Sequence, residues 1–335
     1  MTQDAPHISV VLPARDAAAT LPAALEDVLA QRDAGRFEVI LIDDASRDNT
    51  SSIGREFAAR DPRVRVVTGA GTGLVDALNL GVACARGELI ARMDADDRMH
   101  PDRLRLQREW LDDHLRAGAV GTLVRMAPRP LTPGLSRLEE WLDSVITEEE
   151  CARARFIESP LVHPSIVFRR QALEQAGGYI ERGWAEDWDL LLRICAAGYS
   201  LGKVPAVLLE WHDSPGRLTR TGAAYRKDAM VRLRAHHLAQ GPLRGRVFDV
   251  WGACPTGKQL ARALEEHGLS PRRFIDIDPR KREARGKPVV QASALGPPDG
   301  ALILCAVGAA GARESIRAAL LPLGYREGID HLFAA

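Results

Sequence analysis

Strand-like and helix-like segments alternate, with short connections, through the first hundred residues, and this alternation restricts the chain more than any other feature. Residues 8–12 are a β-rich run, and residues 20–31 have helical spacing, with Thr20 placed as a cap and Pro22 in the first turn. Residues 37–42 form a second strand ending in Asp43-Asp44, and SRDNTSS then supplies turn and cap chemistry for a helix running to about Arg60. Residues 64–67, 75–85 and 89–93 read as strand, helix and strand. Such a pattern implies an α/β fold with a mostly parallel sheet and helices on both faces.

The middle is less regular. Residues 127–137, APRPLTPGLSR, read as a proline-rich loop, 138–150 as an acidic helix and 166–168 as a strand. Gly177-Gly178 closes a short helix, and residues 187–197 carry a helical stripe of Trp188, Leu191, Leu192 and Cys195, with Gly198 where a C-terminal cap belongs. A basic helix over 225–240 ends at Gly241-Pro242, which sets the expected boundary between domains 1–242 and 243–335. The pattern then restarts with a strand at 247–251, the turn GACPTG, a helix at 258–266, strands at 274–277 and 301–307, and a helix at 313–321.

Bulk properties exclude several classes. Acidic and basic residues balance at 45 each, which argues against a generic nucleic-acid or polyanion binder. The five cysteines are dispersed without a CxxC pair, as expected of free thiols in a reducing compartment. MTQDAPHISVVLP reaches a strand pattern without a basic region and apolar signal segment, and the most apolar run, residues 301–312, falls short of the roughly 20 residues a membrane span needs. The expectation is a soluble cytoplasmic protein with no transmembrane segment.

The chemistry concentrates in LIARMDADDRMHPDRL, where an apolar run meets Asp94, Asp96 and Asp97. Three carboxylates this close repel one another, so either they are solvated or a cation sits among them. Two further DxD triplets, Asp187-Trp188-Asp189 and Asp276-Ile277-Asp278, show that the triplet alone is weak evidence. Position separates the first: it lies just past the carboxyl end of a strand, where open α/β sheets place their ligand crevice. Asp43-Asp44 ends another strand, and turn chemistry leading into SRDNT explains it equally well. The acids of Trp184-Ala185-Glu186-Asp187-Trp188 also suit the first turn of a helix through the macrodipole.

Taken in order, SVVLPARDAAATLPAALEDVLAQ, FEVILIDDASRDNT and GLVDALNLGVACARGELIARMDADD resemble the nucleotide-sugar-binding half of family 2 glycosyltransferases of the GT-A fold. SPLVHPSIVFRR, GGY, AEDWDLLLRICAAGY and WHDSPGRLTR resemble the acceptor half, so the likeness covers about residues 7–235. The resemblance implies that Asp44 binds the nucleotide base, that Asp94-Ala95-Asp96 is the DxD motif, and that Asp96 ligates Mn²⁺ or Mg²⁺ while Asp94 holds the ribose or a metal-bound water. Asp97 is then a supporting residue or a helix cap before Pro101. Pro13, Ala14 and Arg15 stand where the base pocket is walled; Arg15-Asp16 replaces the familiar Tyr-Asn, so an arginine plane takes the place of a stacking tyrosine. Asp187 matches the catalytic base that takes the acceptor proton, with Glu186 in support, which implies inversion at the anomeric carbon. Arg217 is placed to close over the diphosphate, His212 is a candidate ligand, and His163 lies beside the site.

The C-terminal part is similar to small Rossmann-like domains, with Gly252 and Gly257 at the outer positions of GxGxxG and Cys254 in place of the middle glycine that lets a pyrophosphate approach. Asp276 or Asp278 is placed to hold a ribose, or is a surface carboxylate. The resulting expectation is a metal-dependent inverting hexosyltransferase, moving sugar from a nucleoside-diphosphate donor, with UDP preferred, to a hydroxyl-bearing glycan or glycoconjugate in polysaccharide assembly. Its rivals are a non-catalytic sugar-nucleotide scaffold and an NAD(P)-linked oxidoreductase acting through the C-terminal domain.

Overall fold

The computed structural model describes residues 6–213, 220 and 222–335, so Arg217 lies outside the described residues. The chain divides into two compact units: Met1–Cys151 with Pro160–Arg182 and Glu186–Arg217, and Ala152–Ser159 with Gly183–Ala185 and Leu218–Ala335. The helix Lys227–Gln240 groups with the second unit, whereas the sequence reading places it before a boundary at 242.

In the first unit, β1 (Ile8–Ala14) and β2 (Phe37–Asp43) are buried at every position, as their near-continuous apolar runs require of strands covered on both faces. β1 pairs in parallel with β2 and with β4 (Leu89–Arg92), and β2 with β3 (Val64–Thr68). Helices α1 (Leu21–Leu29), α2 (Thr50–Arg60) and α3 (Leu74–Cys84) make the crossovers. Pro22 starts α1 as expected, while the Thr20 side chain makes no cap bond.

The full sheet has eight strands in the order β3-β2-β1-β4-β7-β6-β8-β5. It continues beyond β4 through β7 (Val167–Arg169), antiparallel to both β4 and β6 (Ala117–Ala127). β8 (Ser200–His212) runs parallel to β6, and the two-residue β5 (Arg98–Met99) lies antiparallel on β8. After β5 comes α4 (Arg103–Asp113), capped in position by Asp102, so Asp97 is not a helix cap.

The acidic helix expected over 138–150 is two helices, α5 (Pro133–Asp143) and α6 (Glu148–Ala154). Thr147 and Glu150 restart the helix: the Glu150 amide donates to Thr147 Oγ1 at 3.2 Å and the Thr147 amide to Glu150 Oε2 at 2.9 Å. This is a capping box, with the T-x-x-E spacing that specifies it. α7 (Arg170–Gln175) ends at the glycine pair 177–178, and α8 (Glu186–Ala196) ends before Gly198, both as expected.

β8 holds a charge inside the sheet. Lys203 is 2% exposed and donates from Nζ to the Leu142 carbonyl at 2.5 Å. Burial pushes its ammonium down from 10.5 to about 8, against the opposing pull of Cys151, Asp143 and Glu150. The unfolded chain therefore holds this proton more tightly than the folded one, so stability sits on its lower plateau below pH 8 and rises as pH climbs from 8 to 10.5. Lys203→Met is expected to be neutral or stabilising at pH 7 and to remove that rise. Thermal midpoints measured across this range check it; an unchanged slope in the variant contradicts it.

The second unit is built on a six-stranded sheet in the order β11-β12-β10-β9-β13-β14. Its members are β9 (Phe248–Trp251), β10 (Phe274–Asp276), β11 (Glu283–Ala284), β12 (Lys287–Gln291), β13 (Leu302–Cys305) and β14 (His331–Phe333). β12, β10, β9, β13 and β14 are mutually parallel, and β11 runs antiparallel to β12. Helices Pro255–Glu265 and Ala312–Leu320 follow β9 and β13, the first opening on the proline that suits a first turn.

Candidate active site

The carboxyl ends of β1, β2 and β4 converge, because Ala14 registers with Asp43 and Val11 with Arg92. Asp44, one residue past β2, is 4% exposed and accepts the amides of Gly71 at 2.8 Å and Gly73 at 3.1 Å, one on each carboxylate oxygen. Arg15 Nη1 stands 3.6 Å from Asp44 Oδ2, with its side chain about half exposed. Pro13 and Ala14 are the last two residues of β1, opposite Ile42 and Asp43. Asp16 adopts a left-handed conformation at φ 50°, accepts the Arg47 amide at 2.7 Å, and its own amide donates to Ser46 Oγ. Aspartate tolerates that backbone state as asparagine does, which accounts for Asp16 in place of Asn.

Past β4 the structure groups Asp94, Asp96 and Asp97 with one ligand atom from each within 4.8 Å of the others. Three hard oxygen donors at this spacing fit a divalent cation such as Mn²⁺ or Mg²⁺. Ala95 between them is buried. Asp97 is 1% exposed and accepts the His212 amide at 2.8 Å, tying the acidic turn to the end of β8. The His212 ring instead meets Glu210 Oε1 at 2.6 Å.

The helix α8 brings the second acidic centre. Asp187 is half-buried in its first turn and accepts the Trp188 amide at 2.8 Å, while Glu186 is buried with Oε1 3.8 Å from His163 Nδ1. His163 Nε2 lies 2.8 Å from the Tyr179 hydroxyl. Burial, reinforced by the charge of Arg92, holds His163 well below 6.5, so the ring is neutral. Burial also raises the Tyr179 phenol; Arg92 works the other way, and Glu186, Asp187 and Asp94 add to the rise.

The sequence reading missed Arg92, Tyr179 and Arg103. Arg92 is 2% exposed and pairs through Nη2 with Asp94 Oδ1 at 2.6 Å. Arg103 is fully buried, donates to the Arg92 carbonyl at 2.9 Å, and is pushed down to about 9 by burial, which Asp97 opposes and Arg92 reinforces. An arginine ending an otherwise apolar strand run was the available signal for the first of these.

In the second unit the turn after β9 needs its two outer glycines. A Cβ on Gly252, at φ 122°, would lie 2.8 Å from the Ala306 carbonyl oxygen, and one on Gly257 would lie 2.0 Å from the Gly252 oxygen. Cys254 sits between them in extended backbone as the residue before the helix, its thiol directed at the Ala306 carbonyl at 3.5 Å. Asp276 takes the Ala253 amide at 2.9 Å and Lys281 Nζ at 2.8 Å on Oδ2, and the Asp278 amide at 3.0 Å on Oδ1.

The family model described as Glycosyl transferase family 2 matches residues 9–177. An uncharacterised protein y4gI of Sinorhizobium fredii is 31% identical over 71% of this chain, which spans only 26% of that relative's length. The amylovoran biosynthesis glycosyltransferase AmsE of Erwinia amylovora is 26% identical over 63% of this chain and 79% of its own. Among solved structures, the mannosyltransferase PcManGT from Pyrobaculum calidifontis, in complex with GDP-Man and Mn²⁺, superposes with a TM-score of 0.52 at 26% identity, covering 71% of this chain and 63% of that one. The architecture of the first unit is that of the GT-A fold.

Proposed function

The chain belongs to glycosyl transferase family 2, and we propose that it is an inverting, divalent-metal-dependent enzyme that moves a hexose from a nucleoside diphosphate to a hydroxyl on a growing glycan or glycoconjugate. The observation that supports this most is the grouping of Asp94, Asp96 and Asp97 past β4, in the same unit as Asp44 and Asp187. A cation bound there would take the charge that develops on the diphosphate as the sugar leaves. Asp96 is the direct ligand in this reading, Asp94 faces the ribose or a metal-bound water, Asp44 holds the base edge with Arg15 beside it, and Arg217 closes on the diphosphate. Asp187 takes the acceptor proton, and a base opposite the leaving group gives in-line displacement.

Polysaccharide assembly as the setting rests on the amylovoran enzyme's likeness to this chain. The base is open between uracil, preferred on the resemblance, and guanine, which the mannosyltransferase binds in GDP-Man. No helix among the described residues is long and apolar enough to cross a membrane, and the five free cysteines support a reducing, cytoplasmic setting. We read the second unit as Rossmann-like from its parallel strand order, with a docking or structural role rather than dinucleotide chemistry. Cys254 at the middle position and the commitment of Asp276 to Lys281 support that choice.

The test is to supply UDP-, GDP- and dTDP-hexoses with Mn²⁺ and a panel of glycosyl acceptors. One donor should release its nucleoside diphosphate together with a product of opposite anomeric configuration by NMR. Retention of configuration would sink the single-displacement assignment.

A further inference from the structure

β4 ends in a cation where a buried parallel strand ordinarily ends in an apolar side chain. Arg92 is 2% exposed, and of its guanidinium nitrogens Nη2 alone has a partner among the described residues, Asp94 Oδ1 at 2.6 Å; Nε and Nη1 have none. Asp94 itself keeps 27% of its side chain exposed. A buried fork held by one carboxylate oxygen leaves the other oxygen of Asp94 for whatever enters the site, and fixes which one it is. The guanidinium also places a fixed positive charge beside a group of three carboxylates that fits a dication.

We propose that Arg92 is a positioning residue that divides labour within the acidic turn: by engaging Oδ1 of Asp94 it weakens that carboxylate as a metal ligand and presents it to the nucleotide, leaving the cation to Asp96. This rests on the reading of the turn as the metal and donor site. A fixed cation next to a dication repels it, so removing Arg92 has opposite effects on two ligands. Metal alone binds more tightly, because a like charge is gone and Asp94 is released to ligate. The nucleotide binds more weakly, because Asp94 is no longer held in place for it.

The experiment is calorimetric titration of Mn²⁺ alone, and of UDP and GDP each at saturating Mn²⁺, into the full chain and its Arg92→Met and Arg92→Lys variants. Methionine keeps much of the buried volume. Arg92→Met is expected to bind Mn²⁺ several-fold more tightly and the nucleotide about tenfold more weakly, the scale of one lost hydrogen bond to a charged group. Arg92→Lys restores the charge, so its Mn²⁺ affinity returns to that of the unmodified chain, with nucleotide affinity between the two. Parallel loss of both affinities in either variant would mean a packing role only and overturn the proposal, as would unchanged nucleotide binding in Arg92→Met. Should Arg92→Met fail to fold, Arg92→Lys decides alone: Mn²⁺ affinity retained with nucleotide weakened supports the proposal, and any other pattern overturns it. If the unmodified chain binds neither nucleotide in a Mn²⁺-dependent way, the donor-site reading itself fails, and Arg92's role with it.

Discussion

Asp187→Asn is expected to bind metal and nucleotide as the unmodified chain does and to transfer sugar roughly a thousandfold more slowly, within the range a positioned general base contributes. The substitution is close to isosteric and keeps an oxygen that can accept the Trp188 amide, now bonded to Asp187 Oδ1 at 2.8 Å, so the start of α8 should persist. Trp188 is fully buried and anchors that turn from the core side. What the amide cannot do is take a proton. Binding by calorimetry and turnover by nucleoside diphosphate release separate the two effects, and transfer at the unmodified rate would remove Asp187 from the mechanism.

Asp96→Ala is expected to abolish Mn²⁺-dependent nucleotide binding, and transfer with it. Asp96 is only half-buried and belongs to a turn with three carboxylates whose ligand atoms fall within 4.8 Å of one another. The lost stabilisation is measurable: a ligand at 100 times its dissociation constant adds about 2.7 kcal/mol to the folded state. A variant that still binds nucleotide with the same metal requirement would move the cation elsewhere.

The parts of the fold that were legible in the sequence are those where one physical demand dominates. β1 and β2 are buried at every position, so ISVVLPA and FEVILID announce themselves, and the acidic residues just past β2 and β4 are informative because of where those strands end. β6 and β8 were not assigned, for identifiable reasons. In β6, Gly118 and Gly121 interrupt the run; they are small because a Cβ at 118 would meet Ile194 at 2.8 Å and one at 121 would meet Leu161 at 3.0 Å. β8 carries the buried Lys203, and Pro205 falls where its register with β6 jumps from Thr122↔Val204 to Leu123↔Val207. α4 was hidden because its buried face includes Arg103 and Gln107, which look like surface residues until their partners are known. The junction of Arg92, His163 and Tyr179 depends on β7 pairing antiparallel to β4, with Ile90 opposite Phe168, and no local pattern encodes that pairing.

In the proposed reading the acidic turn past β4 holds a cation for a nucleoside diphosphate. Thermal unfolding of the unmodified chain with UDP, GDP, dTDP and NAD(P)H, each with and without Mn²⁺, tests it most directly. One nucleoside diphosphate is expected to raise the midpoint only when Mn²⁺ is present, and NAD(P)H is expected to leave it unchanged. A shift produced by NAD(P)H alone would contradict it and make the second unit the seat of the chemistry.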